Sequence, residues 1–240
     1  MATDVRVNAL APGLAKTKLA ARTMSHIGPL ARLLVVTENA LREGRTAMAH
    51  VPLQEHPKGL IARLATRYTK HRFGQMVEPT AAAAHHAGVL VAMGSLETAV
   101  QYGWKKLDPT LRWLAVQVTG MQIGCSWCVD YGYYEGMHSG IDPAKVRAVG
   151  SWRTSDLFDE RERAVLEYAE ASTGSPAEVS TQLADRIRAH LGDAEFVELA
   201  AWVALENFRS RFNAGLGLRS QGFSDNCEIP MRIVTTDAIA

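Results

Sequence analysis

Two cysteines three positions apart are the residues of this chain whose types and spacing best fit a chemical role. Cys125 and Cys128 lie in the stretch Gly124-Cys125-Ser126-Trp127-Cys128. Residues i and i+3 share one face of a helix, so the two sulfurs can form a disulfide and be reduced again. A Cys-x-x-Cys pair serves redox chemistry or zinc binding. A structural zinc site takes four protein ligands, and the sequence has no second such pair, so redox chemistry is favoured. Two buried structural cysteines are the remaining alternative.

The reactive form of such a pair is a thiolate, and helix N-termini and Cys-x-x-Cys arrangements lower the thiol pKa to about 3.5–7.5. Cys125 follows Gly124 in the expected first turn of a helix, where unpaired backbone N–H groups favour an anion. Helix geometry therefore favours Cys125 as the better-stabilised thiolate. Tyr131 and Glu135 follow Cys128 by three and seven residues, nearly on its face, and are the predicted proton-handling partners.

Other polar residues receive a structural interpretation. The predicted long C-terminal helix carries several polar side chains, namely Glu206, Asn207, Arg209 and Arg211. The adjacent His85 and His86 diverge on a helix, so we expect no metal and no cofactor. Cys227 is predicted to be a lone thiol in the C-terminal tail.

Composition restricts the functional classes. The chain has 240 residues, of which 47% are hydrophobic and 21% charged, with a formal net charge of +1. This balance gives no support for a nucleic-acid partner, which calls for clustered Lys and Arg. No run reaches the roughly 18 apolar residues of a membrane span, and no signal design opens the chain. We therefore expect no membrane association and a cytoplasmic location, where thiols are kept reduced.

The periodicity of apolar residues predicts an all-α fold built as a multi-helix bundle. Asp-Pro pairs at Asp108-Pro109 and Asp142-Pro143 predict helix starts, because aspartate caps a helix and proline is tolerated in its first turn. A short strand is predicted at 231–235. The predicted helices after residue 50 are 57–73, 78–86, 87–102, 111–123, a dithiol helix ending near 139, 144–149, 159–171, 178–191 and 194–213.

The N-terminal residues differ from the rest of the chain. Residues 5–17 resemble the segment after the catalytic helix of short-chain dehydrogenases, but that family's other motifs are absent. We interpret residues 1–24 as an N-terminal arm, a fusion remnant or a misassigned start. The predicted divisions that follow are a helical lead-in over 25–106, a core over 107–227 and a tail over 228–240.

Four short motifs of the core form a recognisable pattern, namely Leu107-Asp108-Pro109-x-Leu111-Arg112, Gly124-Cys125-x-Trp127-Cys128-x-Asp130, Arg211-Phe212-Asn213-x-Gly215-Leu216 and Gln221-Gly222-Phe223-Ser224. With these motifs the core resembles the carboxymuconolactone decarboxylase family, in particular its alkylhydroperoxidase D-like branch. The resemblance implies an all-α homo-oligomer, a trimer or larger. It also implies reduction of hydroperoxides by the dithiol, with Cys128 attacking and Cys125 resolving, and regeneration by a lipoyl- or thioredoxin-type dithiol protein.

The chain departs from that family's pattern at two positions. The pattern places a Glu twelve residues before the first cysteine and a His four residues after the second, and Trp113 and Gly132 stand there instead. Tyr131 and Glu135 are therefore the predicted substitutes for the proton relay. The alternative is a non-catalytic or redox-sensing member of the family that binds a small molecule.

Overall fold

The computed structural model describes residues 49–225 and residue 227. Within these residues the secondary structure is helical without a strand, which confirms the predicted all-α fold. The arm over 1–24 and the strand expected at 231–235 lie outside the described residues. The α-helices are α1 (Leu60–Phe73), α2 (Glu78–Ala83), α3 (Ala87–Gly103), α4 (Pro109–Ile123), α5 (Ser126–His138), α6 (Pro143–Ala148), α7 (Glu160–Thr173), α8 (Thr181–His190) and α9 (Asp193–Gly215), with a 3₁₀ turn at Val149–Ser151.

Helix α4 lies at the centre of the core, against α5, α7 and α9. It begins where the Asp-Pro pair predicts, because Asp108 Oδ1 accepts hydrogen bonds from the backbone N–H groups of Thr110 and Leu111 at 2.8 and 3.2 Å. Apolar and small residues lie on most of its sides, so most of its length is buried. It ends at Gly124, whose φ of +78° lets the chain reverse into α5.

Several helix starts differ from the sequence-based expectation by one to three residues. Helix α1, for example, begins at Leu60 and not at residue 57. Cys125 precedes α5 as its N-cap rather than lying in its first turn. Helix α8 begins at Thr181 and not at Glu178, because the Ser180 side chain accepts a hydrogen bond from Leu183 N at 3.2 Å and fixes the start there. Such shifts arise where several polar residues compete to cap one helix.

The lead-in helices α1 to α3 form a small apolar cluster of their own, in which Ala62, Ala83 and Leu90 are buried and Phe212 of α9 packs against them. The apolar stripe that predicts α1 is largely exposed, with Leu60 at 72% and Leu64 at 57%. Within the described residues, α1 therefore presents exposed apolar side chains. No helix within residues 49–225 is long and apolar enough to cross a membrane.

Candidate redox site

The two cysteines at the start of α5 are joined by a disulfide, with their Cα atoms 5.3 Å apart. Cys125 is only 2% exposed, whereas Cys128 is partly exposed. The backbone N–H of Cys128 donates to Cys125 Sγ at 3.2 Å, so the first turn of the helix contacts the buried sulfur. Of the two cysteines, Cys128 is therefore the more exposed to solvent.

Helix α9 supplies a hydrogen-bond donor to the sulfur of Cys128. Asn213 Nδ2 donates to Cys128 Sγ at 3.3 Å, a contact between residues 85 positions apart in the sequence. A donor on sulfur stabilises its negatively charged form, because the thiolate accepts a stronger hydrogen bond than the thiol. Asn213 is itself 3% exposed, which keeps this donor in place.

A buried carboxyl group lies on the same helix. Glu206 is 3% exposed, and its Oε1 accepts a hydrogen bond from Ser210 Oγ at 2.7 Å. Arg209 Nη1 lies 3.5 Å from Glu206 Oε2, but the same guanidinium makes an ion pair with Glu97 of α3 through two of its nitrogens. Burial raises the pKa of Glu206 to about 7, although Arg209 and Ser210 act in the opposite direction.

Gly120 of α4 lies close to both this carboxyl group and the dithiol. The point where a Cβ of residue 120 would stand is 3.4 Å from Cys128 Cβ, 3.6 Å from Glu206 Oε1 and 3.7 Å from Ser210 Oγ. Cys128 Cβ and Glu206 Oε1 thus both lie at contact distance from the Cβ that position 120 lacks. From the sequence alone, Glu206 is interpreted as a structural residue. The signal that was overlooked is the spacing of Glu206, Ser210 and Asn213, which places three polar residues on one buried helix face.

The two positions where the family pattern expects its relay residues contact each other. Trp113 Nε1 donates to the backbone oxygen of Gly132 at 2.8 Å, and this bond is buried. A Cβ on Gly136 would lie 2.6 Å from the Trp113 ring, and one on Gly132 would lie 3.0 Å from Gln117 Cδ. The space that a His at 132 would need is therefore taken by the Gln117 side chain.

The predicted substitutes Tyr131 and Glu135 are placed differently from Glu206. Tyr131 stacks on Trp127 with ring centroids 5.5 Å apart and packs edge-on against Phe223. Burial, followed by the charge of Glu135, raises the pKa of Tyr131 to about 12, so its hydroxyl is a poor acid at neutral pH. Glu135 Oε1 lies 4.0 Å from Arg112 Nη2. Within the described part of the chain neither side chain hydrogen-bonds to Cys128, and their relay roles stay predictions.

Asp130, two residues after Cys128, binds the loop that follows α9. Its fully buried carboxylate accepts hydrogen bonds from the backbone N–H groups of Gln221, Phe223 and Ser224 at 3.0, 3.1 and 2.8 Å, and from Ser224 Oγ at 2.7 Å. This loop carries the buried free thiol of Cys227, whose pKa is raised by burial and by the charge of Asp130. The dithiol helix and the C-terminal loop are thus held as one unit.

No group of three or more His, Cys, Asp or Glu side chains suited to a metal occurs among residues 49–225 and 227. These features define a helical dithiol protein. A Cys-x-x-Cys pair lies at the start of one helix, and a residue of a second helix, Asn213, hydrogen-bonds to the sulfur of Cys128. Residues 87–171 match the sequence model of the carboxymuconolactone decarboxylase family. Residues 87–171 thus carry the sequence pattern of that family, and the chain has the alkylhydroperoxidase D-like fold.

Curated relatives give no activity by name. The chain is 36% identical over 124 residues to the uncharacterized protein YnjA of Escherichia coli (strain K12). That match covers 52% of this chain and 66% of the relative, which is about two thirds of the relative's length.

Solved structures share the fold at lower identity. The alkylhydroperoxidase AhpD core of an uncharacterized peroxidase-related protein from Ralstonia eutropha JMP134 superposes with a TM-score of 0.63 at 19% identity, over 75% of this chain and all of that one. The debrominase Bmp8 superposes with a TM-score of 0.62 at 22% identity, over 69% of this chain and 89% of that one. A cysteine-to-alanine variant of Bmp8 has been solved with 2,3,4-tribromopyrrole. At these identities the likeness concerns the fold alone.

Proposed function

We propose that this protein is a thiol-dependent oxidoreductase that reduces hydroperoxides by cycling the Cys125–Cys128 pair between dithiol and disulfide. The observation that carries the proposal is the bonded pair itself, with Cys125 buried and Cys128 partly exposed, its Sγ accepting a hydrogen bond from Asn213. The family match over residues 87–171 supports it. Exposure also favours Cys128 as the attacking residue, because it is the more exposed of the two cysteines.

The cycle consumes one hydroperoxide and two thiols. The Cys128 thiolate attacks the peroxide oxygen, the O–O bond breaks, and the alkoxide leaves and takes a proton to become an alcohol. The resulting sulfenic acid is attacked by the Cys125 thiol, which forms the disulfide and releases water. A dithiol reductant then restores both thiols by exchange and becomes a disulfide itself.

The partners of this cycle are a small hydroperoxide and a dithiol protein of lipoyl or thioredoxin type. We place the cycle in the cytoplasm, where thiols are kept reduced. We also propose a homo-oligomer, a trimer or larger. The exposed apolar side chains of α1 and α3, such as Leu60, Leu64 and Val91, support this because contact with another chain would remove apolar surface from water. Light scattering that gives the mass of one chain at micromolar concentration would contradict it.

The decisive experiment compares the wild type with Cys128→Ser and, as a matched control, with Cys227→Ser. Hydroperoxide consumption is followed with thioredoxin or a lipoyl protein as reductant, and the Cys125–Cys128 peptide is analysed by mass spectrometry. We expect the wild type and Cys227→Ser to turn over and to form the disulfide, and Cys128→Ser to do neither. Equal slow consumption by all three proteins would refute the proposal.

The alternative is a redox-sensing or non-catalytic family member that binds a small molecule. One observation favours it, namely that Trp113 stands at one position of the family's proton relay and Gln117 fills the space beside Gly132 at the other. The same experiment separates the two functions. A disulfide that forms under peroxide without catalytic turnover indicates a sensor. A Cys128 thiol that titrates like a free cysteine and forms no disulfide indicates a non-catalytic protein.

A further inference from the structure

We infer that Glu206 of α9 exchanges the proton of the Cys128 thiol, and so replaces a relay that positions 113 and 132 cannot form. The inference rests on the proposed thiol chemistry and assigns the residue that activates it. The shared proximity of Glu206 and Cys128 to Gly120 carries it, together with the continuous polar face formed by Glu206, Ser210 and Asn213.

The polar face of α9 formed by Glu206, Ser210 and Asn213 contacts Cys128 Sγ at one end. Asn213 contacts Cys128 Sγ, and Ser210, one turn before Asn213, donates to the Glu206 carboxylate. Gly120 opposes this face from α4 and presents no side chain, so no α4 side chain at position 120 stands beside Cys128 Cβ and Glu206 Oε1. Any other residue at position 120 would put a Cβ at contact distance from both atoms.

The charges around Glu206 suit a group that both accepts and releases a proton. The charged and polar groups that face it are Arg209 and Ser210 on its own helix and Glu97 on α3, with Cys128 on α5. Because Arg209 pairs with Glu97 through two nitrogens, Glu206 receives only a part of its charge. A general base works best when both of its forms are populated at the working pH, and burial brings the pKa of Glu206 to about 7.

The proton transfers balance over the cycle. Glu206 carboxylate takes the proton of the Cys128 thiol and leaves a thiolate. After the thiolate has attacked the peroxide and the O–O bond has broken, Glu206 gives that proton to the departing alkoxide. The carboxylate is thereby restored, and the net reaction stays one hydroperoxide and one thiol to one alcohol and one sulfenic acid.

The test measures the rate at which Cys128 of the reduced protein reacts with iodoacetamide and with a hydroperoxide between pH 5 and 10. Peptide mass spectrometry reads Cys128 separately from Cys125 and Cys227. In the wild type we expect two inflections, one near pH 7, because two coupled groups share protons. In Glu206→Gln we expect a single inflection, and a rate with hydroperoxide at pH 7.5 that is lower by about 10² or more.

Two further variants keep Glu206 and test its placement. Gly120→Ala puts a methyl group beside Glu206 and Cys128 at ordinary contact distances, and we expect the hydroperoxide rate to fall by about tenfold or more. Glu97→Gln frees Arg209 to pair with Glu206, so the lower inflection should move to lower pH. If Glu206→Gln does not fold, these two variants decide the matter.

The outcomes separate this inference from the proposed function. If Glu206→Gln or Gly120→Ala keeps the wild-type rate and both inflections, Glu206 does not exchange the proton, although peroxidase turnover can still stand. If the wild type shows no peroxidase turnover but Glu206→Gln loses the inflection in the iodoacetamide reaction, the proposed function fails and the role of Glu206 in activating Cys128 stands. A purely structural role for Glu206 predicts no shift of the inflection in Glu97→Gln.

Discussion

Helices α4 and α5 meet at two places that differ in which helix carries the glycine. At the closed contact, formed by Trp113 and Gln117 of α4 on Gly136 and Gly132 of α5, large side chains fill the space and a buried hydrogen bond joins the helices. At the open contact, Gly120 of α4 faces Cys128 of α5, and the space beside it is bounded by Glu206 of α9. The same pair of helices thus excludes proton-handling residues at one end and admits one at the other.

The largest expected effect concerns the charge at the open contact. The closed contact contains Trp113, Gln117, Gly132 and Gly136, none of which is titratable. Of the two contacts, only the open one is therefore expected to make the free energy of unfolding depend on pH. The pKa of Glu206 rises from 4.5 to about 7 on folding. Because the pKa is higher in the folded state, the folded protein holds the Glu206 proton more tightly than the unfolded chain does. The contribution of Glu206 to the free energy of unfolding is therefore fully present below about pH 4.5 and is lost as pH rises through 7. The loss amounts to about 3 kcal/mol.

Glu206→Gln removes this dependence because glutamine stays uncharged. Denaturant unfolding of the oxidised proteins should show the free energy of unfolding of the variant rising by about 3 kcal/mol relative to the wild type between pH 4.5 and 8. Other ionisable groups contribute to both proteins alike. Two curves that run parallel over this range would show that Glu206 is not a buried, partly neutral carboxyl group.

A smaller effect is expected from filling the closed contact. In Gly136→Ala the new methyl group would lie 2.6 Å from the Trp113 ring, which the surrounding core holds in place. We expect the free energy of unfolding to fall by about 1–3 kcal/mol, measured by denaturant titration. Gly94→Ala on α3 is the matched control, because a Cβ there meets nothing within 4 Å. Equal stability of Gly136→Ala and Gly94→Ala would mean that the closed contact is not tightly packed.

The smallest effect on stability is expected from filling the open contact. In Gly120→Ala the methyl group meets its neighbours at 3.4 Å and beyond, which is ordinary van der Waals contact. Alanine also suits a helix interior better than glycine by up to about 1 kcal/mol. Unfolding should therefore give a stability equal to or slightly above that of the wild type, while the reaction of Cys128 slows. A loss as large as that of Gly136→Ala would remove the distinction between the two contacts.

Sequence reasoning succeeded where a signal is local. The Asp108-Pro109 and Asp142-Pro143 pairs predicted the starts of α4 and α6, because a cap and a first-turn proline act within a few residues. Gly124 was correctly expected to break the chain before the dithiol, since its left-handed φ suits glycine. The family resemblance was likewise confirmed over residues 87–171.

The composition of the site could be predicted only in part, because the rest depends on contacts between distant segments. Periodicity placed Tyr131 and Glu135 near the face of Cys128, but it gives no information on what another helix contributes. Asn213 and Glu206 reach the site from α9, far along the chain, and only the packing of α9 on α4 brings them there. Burial of Glu206 likewise follows from that packing and not from its sequence neighbours.

The closed contact also limits how this chain can change by mutation. A Glu at position 113 alone would bury a charge in place of the indole that donates to Gly132, and a His at position 132 alone would overlap Gln117. Each single substitution is therefore expected to destabilise the fold, and the two are coupled through Gln117, which would have to change as a third residue. Mutation can alter the chemistry at lower structural cost at the residues around Gly120, where a Cβ meets its neighbours at ordinary contact distances.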